Sequence, residues 1–520
     1  MVLGFGFLMG FLAVLPYIEH TFSPRYQGLT IARDKDYANY ESRLERALKG
    51  HLEEADNAIT PLRSGIEGVQ TAGMEHMIAF LFRWTGLEAP ELAVVVTGIA
   101  IMVSFCLFFL LFCLLDFSSR WSLGMTLILF LVLFDNFGRV MHPGWSFVPT
   151  VLALLTFFLF TKHPTWMRAM VAGALLGILP SLYFWSWCYV WATAFCMILF
   201  HRPRWKMVAL LAAVTILVSA PFFIHTILLS RAPFYDEVMV RASFLLQRTP
   251  ESWPRSLLLF TQTILFLSLW GRYKQYWSYR ACAALLLGIL LAMHQNVLHG
   301  KILMFSSHFY PHLLISSLIA GAFVLTHQAP LLRRVLIGGI AAVFLLAGLR
   351  DYFPAHRFLI PQPADYADQH LAPAIRLLQK YPRQTVLTDA RTGRIVTSWT
   401  DDGIVYTTHA RFLLISDAEL AERFCVSAMF DSNPLPARVL SLEYNRVLQS
   451  QSYLAYEQKL LREACARVKK DPLAYLKKYQ VNFILWNHLE SPLWRIDENA
   501  LHLAPLGTGS GWTLWSRARE

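Results

Sequence analysis

Eleven apolar runs constrain this chain more than any other feature. They are 3–18, 92–115, 122–137, 147–161, 168–182, 186–200, 207–228, 256–270, 281–297, 309–326 and 335–349. A helix crosses a bilayer in roughly 20 apolar residues. Several runs are shorter, so the pattern predicts about eleven transmembrane helices with loose boundaries; the pair around Pro180 is the least sharply bounded. Hydrophobic residues make up 55% of the 520 and charged residues 16%, against about 25% charged in a soluble domain. That balance excludes a disordered chain, an ordinary cytosolic enzyme and a nucleic-acid-binding module, so no nucleic-acid partner is expected. The first run has no basic flank and no small-residue cleavage site, and reads as an anchor rather than a signal peptide.

The net charge of +11 finds its source in the loops. Five short connections, 116–121, 162–168, 201–206, 271–280 and 327–334, hold about eleven Lys and Arg against one acidic residue, Asp116. Basic excess collects in cytoplasmic loops. The N-terminus is then expected in the cytoplasm, with the 19–91 loop and everything after residue 350 outside. An odd number of spans satisfies that arrangement. The fold class expected is a polytopic α-helical membrane protein with a C-terminal extracytoplasmic α/β domain. Residues 1–350 form the transmembrane part, including the 19–91 loop, and 351–520 form the soluble part.

The 19–91 segment is too long for a passive connector. Tyr37, Tyr40, Leu44 and Leu48 recur at helical spacing among charges, which predicts one or two amphipathic helices on the outer face. Beyond 351 charges become dense and nearly balanced. Strands are expected at 385–389, 394–399, 404–408 and 481–486, and helices at 417–430 and 439–479, the latter with a break at Asp471-Pro472. Five cysteines lie in apolar runs, where a thiol acts as a small hydrophobe. Cys425 and Cys465 lie outside them and are free to pair if their compartment is oxidising.

Polar residues near the outer ends of the runs are the places for chemistry. Asp34 and Asp36 open the 19–91 loop close to the membrane. A carboxylate there is able to take a proton from a hydroxyl or to hold a divalent cation; solvation or capping of the next helix accounts for it equally well. His294, Gln295, Asn296, His299, Lys301 and His308 put three imidazoles, two amides and an ammonium into about fifteen residues, a set suited to phosphate or sugar hydroxyls. Arg139 stands in another outer loop, either to neutralise a phosphate or to snorkel toward head groups. The aromatics Tyr183, Phe184, Trp185, Trp187 and Tyr189 suit sugar faces or the interfacial belt. The 231–255 loop, with Asp236, Glu237, Arg241 and Arg248, is long enough to gate a cleft. No P-loop, Gly-x-Ser-x-Gly, His-Glu-x-x-His or Cys-x-x-Cys occurs, and no zinc-ligand spacing appears. No cofactor is required by this pattern; a divalent metal stays open.

Order and spacing together resemble the GT-C superfamily of polytopic glycosyltransferases that use polyprenyl-phosphate-linked sugars. Asp36, Tyr40 and Gly50 look like the Asp-x-x-x-Tyr…Gly run opening the outer loop in aminoarabinose and mannosyl transferases. Asn57, Gly73-Met74-Glu75-His76 and Trp84-Thr85-Gly86-Leu87 are similar to that loop's return to the second helix. Asn296…His299-Gly300…His308-Phe309-Tyr310 resembles a segment of uncharacterised bacterial members, as do Asp417-x-Glu419…Glu422-Arg423 and Tyr479 through Leu485. The paired Asp-Glu of many members is here Asp34-Lys35-Asp36, which leaves the catalytic position open by two residues. Trp-Trp-Asp is absent, and Trp399-Thr400-Asp401-Asp402-Gly403 is a superficial echo of it.

The resemblance implies a mechanism. A lipid-phosphate sugar enters from the outer leaflet. Lys301, His299, His308 and Arg139 meet its phosphate, with Asn296, Tyr40 and Glu75 completing the donor site. Asp36 takes the proton from an acceptor hydroxyl and the anomeric configuration inverts; Asp34 or Glu75 assists, or Asp34 is the base instead. The implied partners are the lipid-linked sugar, a lipid, glycan or protein acceptor, and the bilayer, in a bacterial inner membrane. Two other readings stay open. One is a non-catalytic scaffold of the same shape. The other is a transporter or lipid flippase, which the scarcity of charges inside the runs weakens.

Overall fold

The computed structural model describes residues 1–30, 37–51, 59, 68–69, 72–133, 141–142, 144–241, 248–250, 253–300, 306–327, 366–431 and 451–517, with backbone alone at 37–39, 184–185, 298–299, 306–307 and 451–454. Along the first two thirds of the chain the helices are α1 (Val2–Thr21), α2 (Tyr37–Leu48), α3 (Gly73–Phe82), α4 (Ala89–Leu114), α5 (Ser119–Val132), α6 (Phe147–Lys162), α7 (Trp166–Leu182), α8 (Phe184–His201), α9 (Trp205–Leu229), α10 (Tyr235–Arg241), α11 (Trp253–Leu267), α12 (Trp277–Met293), α13 (Gln295–His299) and α14 (Tyr310–His327). Ten of the eleven apolar runs are helices here; 335–349 lies outside the described residues. Helices α1, α4, α9 and α14 are long and apolar enough to cross a membrane, and α5, α6, α7, α8 and α12 are shorter apolar helices.

The chain divides into two compact units. The first comprises Met1–Pro16, Val94–Thr226 and Leu246–Pro361. Lipid supplies no hydrophobic drive between helices, so close backbone approach at small residues matters more. A Cβ added at Gly10 of α1 would lie 2.5 Å from the Gly98 carbonyl oxygen of α4. On α7, Gly173 and Gly177 sit against the Leu211 and Thr215 carbonyls of α9, 2.8 Å from where a Cβ would stand. Pro180 inside α7 has no N–H, which leaves the Leu176 carbonyl without its helical donor. The Trp191 indole of α8 donates to that oxygen at 2.9 Å. A break at Tyr183 (φ −157°, ψ 116°) separates α7 from α8, so the uncertain pair is two helices. Asp116, the one acidic residue of the five basic connections, pairs with Lys162 at 2.6 Å, and the same ammonium donates to the Leu114 carbonyl at the end of α4.

The second unit comprises Tyr17–Ala93, Ile227–Leu245 and Gln362–Glu520. Its further elements are α15 (Ala372–Leu378), β1 (Thr385–Leu387), α16 (Ala390–Trp399), β2 (Gly403–Ile404), α17 (Asp417–Ser427), α18 (Gln451–Lys470), α19 (Pro472–Lys478), β3 (Phe483–Asn487), β4 (Leu503–Gly509) and β5 (Trp512–Arg517). The sheet order is β2-β1-β3-β5-β4. Strand β1 runs parallel to β2 and β3, while β5 is antiparallel to β3 and β4. Residues 394–399 are helix rather than the expected strand. Parallel β1 and β2 need a crossover between them, and the Asp389 carboxylate starts it by accepting from the amides of Arg391 and Thr392; that topology overrides the β-branched composition. The expected strand at 404–408 shortens to β2 and gives way to a 3₁₀ turn at Thr408–Phe412. The helix break falls at Asp471, whose side chain caps α19. The 439–450 part of the expected long helix lies outside the described residues.

Segments far apart in sequence build this unit. Ile59 pairs with Ile404 and Gly68 with Leu413. Gln369 accepts from the amides of Gln27 and Leu29 and donates to the Leu29 carbonyl at 2.6 Å. The buried guanidinium of Arg241, from α10, donates to the carbonyls of Arg411, Ile415 and Leu413 and to Asp417 at 2.7 Å. Glu237 accepts from the Asp417 amide at 2.6 Å. Within the described part of the 231–255 loop, these two residues are therefore docking groups. Cys425 of α17 and Cys465 of α18 form a disulfide.

Candidate functional site

Helix α2 follows directly on Asp34 and Asp36, which lie outside the described residues. It is amphipathic, as its spacing predicts, but its polar face is not left to solvent: Glu41, Arg43, Glu45 and Arg46 are all buried, because α2 packs along α16 and α3. The i, i+3 spacing of Tyr40 and Arg43 stacks the guanidinium over the phenol ring, 5.5 Å from its centroid. The same guanidinium reaches within 3.8 Å of the Glu75 carboxylate in the first turn of α3. Tyr40 and Glu75, chosen on resemblance, thus converge on one cation that sequence reasoning did not choose. Its signal is the Tyr40-x-x-Arg43 spacing, which puts the two side chains on one face of α2. His76 beside them has its pKa lowered by burial, with Glu75 opposing.

Two further carboxylates on α2 do different work. Glu45 accepts from the Ala89 amide at 3.0 Å and lies 3.3 Å from Lys49, which also reaches Glu88 at 3.6 Å. A negative group at the first amide of α4 satisfies an orphan donor and complements the helix dipole. Burial raises the Glu45 pKa, and the neighbouring Glu88 adds to the rise. Glu41 is pushed up to about 7 by burial, against the opposing effect of the Ser398 hydroxyl. Nearby, the His51 imidazole meets Asp401 at 3.0 Å. The adjacent Asp402 accepts from the Gln384 amide at 2.8 Å, so the Trp399–Gly403 echo is built into the start of β1 and β2.

In the first unit a second group of polar residues gathers where α6, α8, α11, α13 and α14 begin or end. His294 donates from Nδ1 to the Leu290 carbonyl at 2.8 Å, since a carbonyl only accepts, and its Nε2 then accepts from Ser256 at 2.8 Å. Asn296 donates to the Thr249 carbonyl at 2.8 Å. Gly300 closes α13 with φ +81°, packed against the Arg248 side chain. His308 is half-buried in the 3₁₀ turn before α14. His312 lies between Phe147 and Tyr189, whose hydroxyl bonds Ser316 at 2.9 Å. His142 stacks on Tyr183 at 4.8 Å. Arg255 stands 5.5 Å over the Tyr310 ring.

The residues expected at the donor site therefore fall into three groups. Asn296 and His308 lie in the first unit, Asn296 tied to Thr249. Tyr40 and Glu75 lie in the second unit, on Arg43. Lys301, Arg139, Asp34 and Asp36 lie outside the described residues, and of His299 only the backbone in α13 is described. Among the described residues no three His, Cys, Asp or Glu side chains come together as metal ligands.

No family model matches the chain, and no curated protein matches it. Among solved structures the chain is similar to the arabinofuranosyltransferase AftD from mycobacteria, with a TM-score of 0.54 at 13% identity. The match covers 100% of this chain and 40% of that one, so the chain spans less than half the length of AftD. At that identity the likeness concerns fold. Apolar helices across the first two thirds, a long segment between the first two spans and a C-terminal sheet make this chain a multi-pass membrane protein with a GT-C-like fold.

Proposed function

We propose that the chain is an integral-membrane glycosyltransferase of the inner membrane. It moves a sugar from a polyprenyl-phosphate donor to an acceptor hydroxyl on the extracytoplasmic face, with inversion. The observation that carries this reading is the whole-chain similarity to a structure described as an arabinofuranosyltransferase. The Cys425–Cys465 disulfide supports placing the C-terminal part outside, where disulfides persist. The basic bias of the five short connections supports the same orientation.

Asp36 is the general base and Asp34 its alternative. Asp36 stands one residue before α2 and four before Tyr40, at the position that the resemblance gives the catalytic carboxylate. Lys301, His299, His308 and Arg139 are the groups for the lipid phosphate, where negative charge grows as the glycosidic bond breaks. Arg43 positions Tyr40 and Glu75. Glu45 accepts from the Ala89 amide and pairs with Lys49, which ties α2 to the first residue of α4.

The test is turnover of polyprenyl-phosphate arabinofuranose, mannose, glucose and aminoarabinose by the purified full chain in nanodiscs, with membrane extract as acceptor. Consumption of one donor with formation of a glycosylated product is the expected result. If none is consumed while the protein moves labelled lipid or sugar across the bilayer, the transporter reading replaces this one.

A further inference from the structure

Helix α2 has the spacing of a surface helix, yet every residue from Glu41 to Ala47 is buried. Helix α3 is the reverse. Met74, Glu75, Ile78 and Ala79 form its buried face, and it packs on α2. Phe80, Leu81 and Trp84 are 72%, 50% and 79% exposed. The 3₁₀ turn Arg83–Thr85 continues the helix, and spacings of three and four put these three side chains together. An exposed apolar patch of this kind marks an interaction surface. Its backbone is equipped to do without water. The Trp84 indole donates to the Leu81 carbonyl at 2.7 Å, and the Thr85 hydroxyl to the Phe82 carbonyl at 2.8 Å. Carbonyls at a helix end are otherwise left to solvent, and against lipid each must be met from within.

Chain continuity says what covers the patch. Helix α4, long and apolar enough to cross a membrane, begins at Ala89, and the stretch from Trp84 to that residue spans at most about 18 Å. Helix α1, of the same kind, runs antiparallel to α4: Gly6 faces Met102 and Gly10 faces Gly98. The end of α1 therefore comes level with the start of α4, and Phe22, just past that end, is 83% exposed. The patch thus stands beside the membrane surface that α1 leaves and α4 enters. The 10 residues of α3 reach about 15 Å, half of a bilayer core of about 30 Å, so α3 lies along that surface and does not cross. Arg83 is exposed and 6.0 Å from the Phe80 ring centroid. A cation set among aromatics suits the lipid headgroup boundary, where the charge reaches the phosphates and the rings face the acyl chains.

We propose that α3 and its 3₁₀ turn are seated in the lipid interface beside α4, with Phe80, Leu81 and Trp84 against the upper acyl chains and Arg83 at the phosphates. The bilayer then supports the second unit directly, and not only the helices that cross it. Glu75, on the buried face of α3, meets Arg43 at 3.8 Å. That pair stands about one helix diameter, 10–12 Å, from the lipid. On the transferase reading, on which this consequence alone rests, it lies near the level of the donor phosphate. The test places the photo-crosslinking residue p-benzoyl-phenylalanine at Phe80, Trp84, Leu217 or Leu489, one at a time, in the full chain. The nanodiscs contain tritiated phosphatidylcholine and phosphatidylglycerol. Leu217, 74% exposed on the membrane-crossing α9, is the positive control, and Leu489, 69% exposed after β3, is the comparison. All four side chains are exposed, so the probe displaces no packed neighbour. Lipid adduct at Phe80 and Trp84 is expected to approach that at Leu217 and to exceed that at Leu489 by roughly tenfold or more, as seating of an apolar face in the interface requires. Adduct at Phe80 or Trp84 no greater than at Leu489 overturns the proposal, as does crosslinking to a second copy of the chain in place of lipid. Because no turnover is read, adduct in a chain that consumes no donor keeps the seating of α3 and sinks the transferase reading; the converse sinks the seating alone.

Discussion

Each of the two units is held internally by a different means. In the helical unit close contacts are made by what is missing: glycines at Gly10 and Gly98 and along α7 let backbones touch, and one polar group, the Trp191 indole, meets the carbonyl that Pro180 leaves without a donor. In the second unit several of the long-range contacts are made by charge. Arg241, Glu45 and Arg43 are all buried and all hold segments remote in sequence. A membrane unit has its insertion settled by apolar composition and needs only fit. The second unit, assembled from three stretches of chain, needs direction, which hydrogen-bonded charges supply.

The sharpest way to break this contrast is Arg241→Met. Four donated bonds disappear and Asp417 is left buried, so the second unit should lose about 3–5 kcal/mol. Arg248→Ala, at an exposed residue, should change stability by less than about 0.5 kcal/mol. Thermal unfolding of the full chain in nanodiscs reads both. Equal effects would mean that the buried charge does not hold the unit.

Glu41→Gln separates charge from shape. The native carboxyl, at about 7 against an ordinary 4.5, binds a proton more readily than in the unfolded chain. Its contribution therefore favours folding below about pH 4.5, declines through about pH 7 and is flat above. The variant should be more stable than the parent by about 3 kcal/mol at pH 8 and nearly equal to it near pH 4.5. A gap that does not close on acidification would contradict burial as the cause.

Gly10→Ala tests the other half of the comparison. The new methyl meets a backbone oxygen, and the helices must part, at about 1–3 kcal/mol. Gly4→Ala on the same helix meets nothing within 4 Å and should be neutral or slightly stabilising. Equal melting temperatures for the two would show that close approach does not matter there.

These regions also differ in how much of them the sequence discloses. Ten helices follow from apolar runs alone, since a bilayer demands length and apolarity and little else. The C-terminal unit hides more. Residues 394–399 look like a strand because Ile395, Val396 and Thr397 are β-branched, yet the parallel pairing of β1 and β2 requires a helix. Strand β4 escapes notice because Pro505 and two glycines interrupt it, which only an edge position tolerates. Arg241 looks like a loop charge until the 411–417 carbonyls are brought to it. Tyr40 and Glu75 are expected together from a family-like spacing, and both approach Arg43. Arg43 between them depends on contacts across α2 and α3, which no local pattern records.

The central claim is that a carboxylate at the head of α2 performs transfer. The direct measurement is the rate of sugar transfer from the consumed donor by wild type and by Asp36→Asn in nanodiscs, with Asp34→Asn alongside. The account predicts a fall of roughly 10²–10⁴-fold for Asp36→Asn, as loss of a general base gives, and a smaller one for Asp34→Asn. Equal rates for wild type and Asp36→Asn would contradict it.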